Sequence, residues 1–561
     1  MAAKLETGLE RKGEAMPADH GKHDGQMKHG SETFYVEGEG LLVTQVGGRS
    51  GDEGDPLDRT EAPKAPAPRA LAAREAVPFR FSRIGPKGTP LNVTIIRKLA
   101  RAMVVGGGGD GQVPAGYTYL GQFVDHDLTM DSTDLMTQGE VSPTAMLQGR
   151  SPRLDLDSLY GAGPGNTASA QFYEADGLHM KTGTTIPADN VKAKPRHDLP
   201  RVGRGGITVA QQALIPDPRN DENLIVAQTH LALINFHNKV VDKIPVGLSP
   251  AERFTRARRR VTLHYQWLLR HDYLPRICQP SVVDDVFARG RKLFEPDAAP
   301  SDVPTMPLEF SVAAFRLGHS MIRSEYNWNS KFPGNAGSLD WMFFFSALGG
   351  NLGGERRLIS SWIADWRRLY DFPAGGKPAL TAPDSGVNKA MRIDTLLTNP
   401  LASLPPSTFG GDETAGPMMR NLAFRNLARG NMVRLASGQQ MVTRLKSKAI
   451  NVTALTRAQI LNGKGGARLD HLTAAEKDAV VSRTPLWFYI LREAELNNGR
   501  LKGVGARIVA ETFHRAIEGS RFSIVRAPGF TPTLGPRKGT FEMTDLLFFT
   551  YGSKAELAPA G

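Results

Sequence analysis

The stretch GQFVDHDLTMD, residues 121–131, sets Asp125, His126 and Asp127 side by side in an otherwise apolar run. An unpaired buried carboxylate is costly, so these groups face either water in a turn or partners that satisfy them. Helical spacing separates them. Gln122, Asp125 and His126 stand at i, i+3 and i+4 and share one face, while Asp127 points about a quarter-turn away. A helix here presents a histidine, a carboxylate and an amide to one neighbour, and a second carboxylate to another.

The remainder of the 561-residue chain supplies the context. Hydrophobic residues make up 40% and charged residues 22%, the balance of a globular protein with a large core. The net charge of +12 is spread along the chain, and its densest cluster, RFTRARRRV (253–261), runs into TLHYQWLL. Val261, Tyr265, Leu268 and Leu269 recur there at helical spacing, so the arginines read as the solvated face of a helix. Basic and aromatic residues do not interleave as a strand-tracking groove requires, which argues against nucleic acid. Cys278 is the only cysteine, which excludes an intrachain disulfide. No run of 18 apolar residues exists, and LDWMFFFSAL (339–348) is too short to span a bilayer. Residues 1–32 lack the apolar core of a Sec signal, so a cytoplasmic place or a non-Sec export route is expected.

Three segments follow. Residues 1–77 are polar and then Ala/Pro-rich, and read as a disordered tail whose histidines 20, 23 and 29 are solvated. Residues 78–553 read as one mainly helical domain, and 554–561 as a C-terminal tail. The strongest helices fall at 223–244, 484–496 and 505–517. The segment SPRLDLDSLYG (151–161) places oxygen-bearing side chains at 151, 155 and 157, with a carbonyl at 153. In an extended loop these point to one side, a pattern that suits calcium with Asp127 completing the shell, or else a solvated acidic turn. DPRNDENL (217–224) sets Arg219 three residues before Glu222 in what reads as an exposed helix start. AAFRLGHSMIR (313–323) pairs Arg316 with His319 on one helix, and FRNLARGN (424–431) pairs Asn426 with Arg429.

Each signal is weak alone, but their order is specific. GQFVDHDLT, LDLDSLYG, PRNDEN, FHNKVV, YLPRI, AFRLGHSMI and RNLARG together resemble the haem peroxidases of the peroxidase–cyclooxygenase superfamily, over roughly residues 80–550. The likeness is greatest to bacterial members, which lack disulfides. It implies a mainly α animal-type haem peroxidase fold with haem between central helices. It also implies His126 and Gln122 on the distal side of the haem, Arg219 as the distal catalytic arginine, His319 as the iron ligand and Asn426 as that ligand's hydrogen-bond partner. Arg316 and Arg429 match arginines near the haem propionates. Asp127, Ser151, Arg153 (through its carbonyl), Asp155 and Asp157 match a calcium site. Asp125 and Glu222 match the acids that can be ester-linked to haem b. Asn223 stands where myeloperoxidase has the methionine of its sulfonium link, so that link is excluded.

The implied function is reduction of hydrogen peroxide through a ferryl intermediate, with oxidation of a small donor (a halide, thiocyanate or a phenol) and a role in oxidative stress. His126 would shuttle the proton, Arg219 would stabilise charge on the leaving oxygen, and His319 held by Asn426 would support the iron. Two other readings compete. A fatty-acid dioxygenase of the same superfamily needs a radical-bearing tyrosine three residues before the iron ligand, where this chain has Arg316. A non-catalytic haem-binding protein is expected to have lost His126 or Arg219, and both are present.

Overall fold

The computed structural model describes residues 33–36, 40–43, 79–104, 106, 108–130, 148–384, 386–404 and 416–561. Helices dominate, and strands occur only as two-stranded pairs among the described residues. Within the N-terminal segment read as a tail, an unexpected antiparallel hairpin joins β1 (Thr33–Val36) to β2 (Gly40–Val43). The tail histidines lie outside the described residues.

The central helices, in chain order, are α1 (Val93–Met103), α2 (Gly116–Leu128), α3 (Leu224–Val241), α4 (Pro250–Leu268), α5 (Leu422–Met432), α6 (Leu486–Leu496), α7 (Gly503–Glu518) and α8 (Met543–Tyr551). Helix α5 packs against α1 and α6, and α6 against α7. Helix α3 packs against α2, α4 and α8, and nearly all of its residues are buried. That explains its apolar sequence: a helix apolar on all sides needs neighbours on all sides. Local caps fix the ends. Ser249 and Glu252 close a capping box at the start of α4, with Glu252 N donating to Ser249 Oγ at 3.3 Å and Ser249 N to Glu252 Oε2 at 3.1 Å. Helix α2 approaches its neighbours closely at Gly121, where a Cβ would stand 2.3 Å from the Tyr273 hydroxyl. Only glycine allows that contact.

Four expectations need correction. Residues 313–323 do not form one helix: a π-turn (Glu309–Ala313) is followed by a 3-10 turn (Ala314–Leu317) and a single α-turn (Gly318–Met321). The break sits at Ala313, whose φ of −131° and ψ of −69° leave the helical region. The arginines of α4 are not all solvated, because Arg258 is buried with its guanidinium 4.6 Å from the Tyr160 ring centroid. The start of α3 is not an exposed turn, since Asp217, Arg219, Asn220 and Asp221 are all buried. Residues 554–561 are not a free tail: Leu557, Ala558 and Ala560 are buried, and Ser330 Oγ donates to the Ala560 carbonyl at 2.5 Å. No helix among the described residues is long and apolar enough to cross a membrane.

Candidate functional site

Helix α2 packs on α3, and the Gly318–Met321 turn packs on α2, so the segments carrying His126, Glu222 and His319 meet in the core. His126 is buried, with Asn220 on one ring nitrogen and Glu222 near the other. Its Nδ1 lies 2.9 Å from Asn220 Oδ1, which makes Nδ1–H the donor, and its Nε2 lies 3.5 Å from Glu222 Oε1. Glu222 also accepts from the Gln122 amide, and Gln122 Oε1 accepts from Asn223 Nδ2 at 3.0 Å. Asn223 has a second task, because its Oδ1 accepts from Val226 N at 3.0 Å and caps α3. One chain of bonds thus ties the face of α2 to the start of α3. Asn220 escaped the sequence reading although it lies inside PRNDEN, because nothing in the spacing distinguishes it from a solvated neighbour.

Arg219 stands behind this face. Its Nε and Nη2 donate to Asp217 at 3.0 and 2.7 Å, Nη2 also to the His126 carbonyl at 2.9 Å, and Nη1 to the Thr129 carbonyl at 2.9 Å. The last carbonyls of a helix lack intrahelical partners and carry partial negative charge. Arg219 supplies both a donor and a cation there, and so fixes the end of α2 that holds His126. Burial works against its charge, but Asp217 outweighs that cost and raises the pKa. Asp217 is itself buried, and Arg150 and Arg219 hold its carboxyl well below the usual range against the effect of burial. Arg150 and Asp217 also escaped the sequence reading.

On the other side, the amide nitrogen of Asn426 lies 2.7 Å from His319 Nδ1. With the proton on His319 Nδ1, the amide oxygen of Asn426 would stand in that place to accept it. A half-turn of the amide provides it without moving either residue. Arg316 links the two sides, with Nη1 3.8 Å from Asp125 Oδ2, while its Nε donates to the Ser311 carbonyl at 2.9 Å. Arg425 was not foreseen. Burial and the nearby Arg316 lower its pKa to about 10, with Glu222 opposing them. Arg429 is buried on the same helix, α5. Arginines crowded at a buried site form a donor set for carboxylate anions.

Among the residues expected at calcium, Asp127 has an oxygen that fits a cation. Asp127 Oδ1 accepts from Ser158 N at 3.1 Å and Ser158 Oγ at 3.0 Å, whereas Oδ2 is buried without a hydrogen-bond partner. Burial pushes this carboxyl up to about 6 despite Ser158 and Arg150. An orphaned buried carboxylate oxygen fits a cation. Asp155, however, accepts from the Arg521 backbone at 2.9 and 3.1 Å, and Asp157 opens the short helix Asp157–Tyr160. Ser151 and Asp157 are buried, and Arg153 is half-buried. The segment is bent rather than extended, with Leu156 at φ +62°. Among the described residues, no three His, Cys, Asp or Glu side chains form a metal-binding group.

Residues 129–364 match the family model of animal haem peroxidases. That span contains Arg219, Glu222, Arg316 and His319 but neither His126 nor Asn426. The chain is 24% identical over 255 residues to a peroxidase-like protein of Margaritifera margaritifera, covering 37% of this chain and 32% of that protein. It is 27% identical over 192 residues to mouse thyroid peroxidase, covering 32% of this chain and 20% of that protein. The chain therefore spans a third or less of the curated relatives it matches. Among solved structures, peroxidase A of Dictyostelium discoideum superposes with a TM-score of 0.52 at 15% identity, covering 81% of this chain and 90% of that one. A fatty acid alpha-dioxygenase of Arabidopsis thaliana superposes with a TM-score of 0.53 at 11% identity, covering 86% and 79%. At these identities the superpositions show a shared fold.

Proposed function

We propose that this chain, which carries an animal haem peroxidase domain, reduces hydrogen peroxide and oxidises a small donor, with the haem between His126 and His319. The observation that carries the reading is the pairing of a buried His126, hydrogen-bonded through Nδ1 to Asn220 with Glu222 facing its Nε2, with a His319 whose Nδ1 is held by Asn426. The domain is taken to occupy residues 78–553 together with the packed C-terminal residues.

Haem supplies the redox chemistry when bound, and the chain's residues supply position and protons. His319 Nε2 would hold the iron, with Asn426 fixing its tautomer and raising its basicity. Arg316, Arg425 and Arg429 would receive the propionates, which relieves the mutual repulsion of Arg316 and Arg425. Asp125 and Glu222 have the chemical capacity for ester bonds to the haem. His126 takes a proton from peroxide at Nε2 and returns it to the departing oxygen, while Asn220 keeps its Nδ1–H in place. Arg219 holds the end of α2 and places a fixed positive charge behind His126. That is the role we assign it in place of a direct contact with peroxide. Asp127 would be the anchor of a calcium ion that stiffens the end of α2, with Ser151, Asp155, Asp157 and the Arg153 carbonyl as the remaining candidates.

The fold alone fits a dioxygenase equally well, but Arg316 in place of a tyrosine favours the peroxidase. The test is reconstitution with haem followed by turnover with hydrogen peroxide and either iodide or a phenol. Oxidation of at least one donor that stops in His126→Ala is expected. Haem binding without peroxide consumption would overturn the proposal in favour of a binding protein, and oxygen uptake with a fatty acid would overturn it in favour of a dioxygenase.

A further inference from the structure

Away from His126 and His319, a cavity of about 910 Å³ opens between the 171–184 segment, the 200–204 loop and residues 356–357. That is ample for a small molecule. Its lining carries five cations, Lys181, Arg201, Arg204, Arg356 and Arg357, and a single acid, Glu174. Arg201 is neutralised, because it pairs with Asp198 at 2.9 Å and with Asp221. The other four have no carboxylate within ion-pair reach among the described residues.

The floor of this cleft is fixed. Arg201 donates to the Gln211 carbonyl at 3.1 Å, and Asp198 Oδ2 accepts from Leu358 N at 2.9 Å, which ties the rim segment to the floor. The rim cations are steered by neutral carbonyl oxygens. Arg357 Nη1 donates to Thr184 at 3.1 Å, and Lys181 Nζ donates to Gln171 at 2.9 Å. Arg356 reaches Gly203 and Gly205 at 3.4 Å, and these two glycines adopt φ of +71° and +86°. A left-handed backbone of this kind favours glycine. A guanidinium has five N–H donors, so most of those on Arg204, Arg356 and Arg357 remain for a ligand. Like charges gathered on a rigid frame without counter-charges repel one another, and a bound polyanion removes that repulsion.

We propose that this cleft binds a small polyanion, a molecule carrying several carboxylates or phosphates, independently of haem. Titration calorimetry on the full chain, with citrate and inorganic triphosphate as separate probes, tests this and distinguishes the two ligand chemistries. The proposal expects one equivalent of at least one probe to bind. It expects Arg204→Ala/Arg356→Ala to weaken that binding about 10-fold, the scale of two lost exposed charge contacts. Arg457→Ala/Arg468→Ala, which removes the same charge from a distant exposed surface, should leave it unchanged. Neither target arginine in the cleft has a buried partner, so both variants should fold, which circular dichroism checks. Binding of neither probe, binding at several equivalents, or equal weakening in both variants would overturn the proposal and reduce the effect to the chain's overall positive charge.

Discussion

His126 and His319 are held in opposite ways. His126 lies inside a web that spans two helices: Asn220 on one nitrogen, Glu222 near the other, Gln122 and Asn223 extending the web, and Arg219 behind it. His319 sits half-buried in a single turn of helix after a broken backbone, with Asn426 on Nδ1. A group that moves protons needs partners on both nitrogens to keep its tautomer and orientation through the reaction. A metal ligand needs one nitrogen fixed and the other assigned to the metal. The proposed function rests on this difference, giving proton transfer to His126 and ligation to His319.

The comparison breaks most visibly at the web. His126→Ala should leave haem uptake intact and slow peroxide reduction roughly 100- to 10,000-fold, the usual contribution of a positioned proton carrier. An unchanged rate in a stopped-flow assay would remove His126 from the mechanism. Behind the web, Asp217→Asn leaves Arg150 and Arg219 without their buried counter-charge and should cost about 3–5 kcal/mol in denaturant unfolding. The sign with pH is fixed by the depressed carboxyl. Its stabilisation is present above the unfolded value of about 4 and is lost as pH falls below it, so the variant should lose part of the wild-type acid sensitivity.

Calcium sharpens the comparison on the other face of α2. If Asp127 anchors a cation, calcium at a hundredfold excess over its Kd should stabilise the wild type by about 2.7 kcal/mol, and Asp127→Asn should abolish the effect. A thermal shift series with and without chelator reads this directly. The smallest effects belong to the two asparagines. Asn220→Ala and Asn426→Ala should each cost about 10- to 100-fold. Asn220→Ala should act on peroxide reduction at unchanged haem affinity, whereas Asn426→Ala should act on the haem spectrum and affinity. Equal effects on both quantities would erase the distinction between the two sides.

Much of this was legible in the sequence. The apolar runs of α3, α6 and α7 mark buried helices, and Gln122, Asp125 and His126 fall at i, i+3 and i+4 of a helix as expected. What failed was local. AAFRLGHSMIR reads as a helix because Ala, Leu and Met favour one, yet the chain turns at Ala313, and packing against α6 and α7 overrides propensity. The alternation in LDLDSLYG assumed an extended loop, whereas Leu156 is left-handed and Asp157 opens a short helix. Arg219 was legible as a residue of the site, but its hydrogen bonds to the His126 and Thr129 carbonyls were not, because no spacing rule links an arginine to carbonyls about 90 residues away. Asn220 and Arg425 lie inside PRNDEN and RNLARG, but no spacing singled them out from their neighbours.

The central claim is that the two histidines divide ligation from proton transfer. It is tested most directly by rapid-scan absorbance of the haem-reconstituted wild type, His319→Ala and His126→Ala, before and after one equivalent of hydrogen peroxide. The account predicts a Soret band in the wild type that shifts with peroxide, the same resting band in His126→Ala with a greatly slowed shift, and loss of that resting band in His319→Ala. A resting spectrum unchanged in His319→Ala but lost in His126→Ala would contradict it and exchange the two roles.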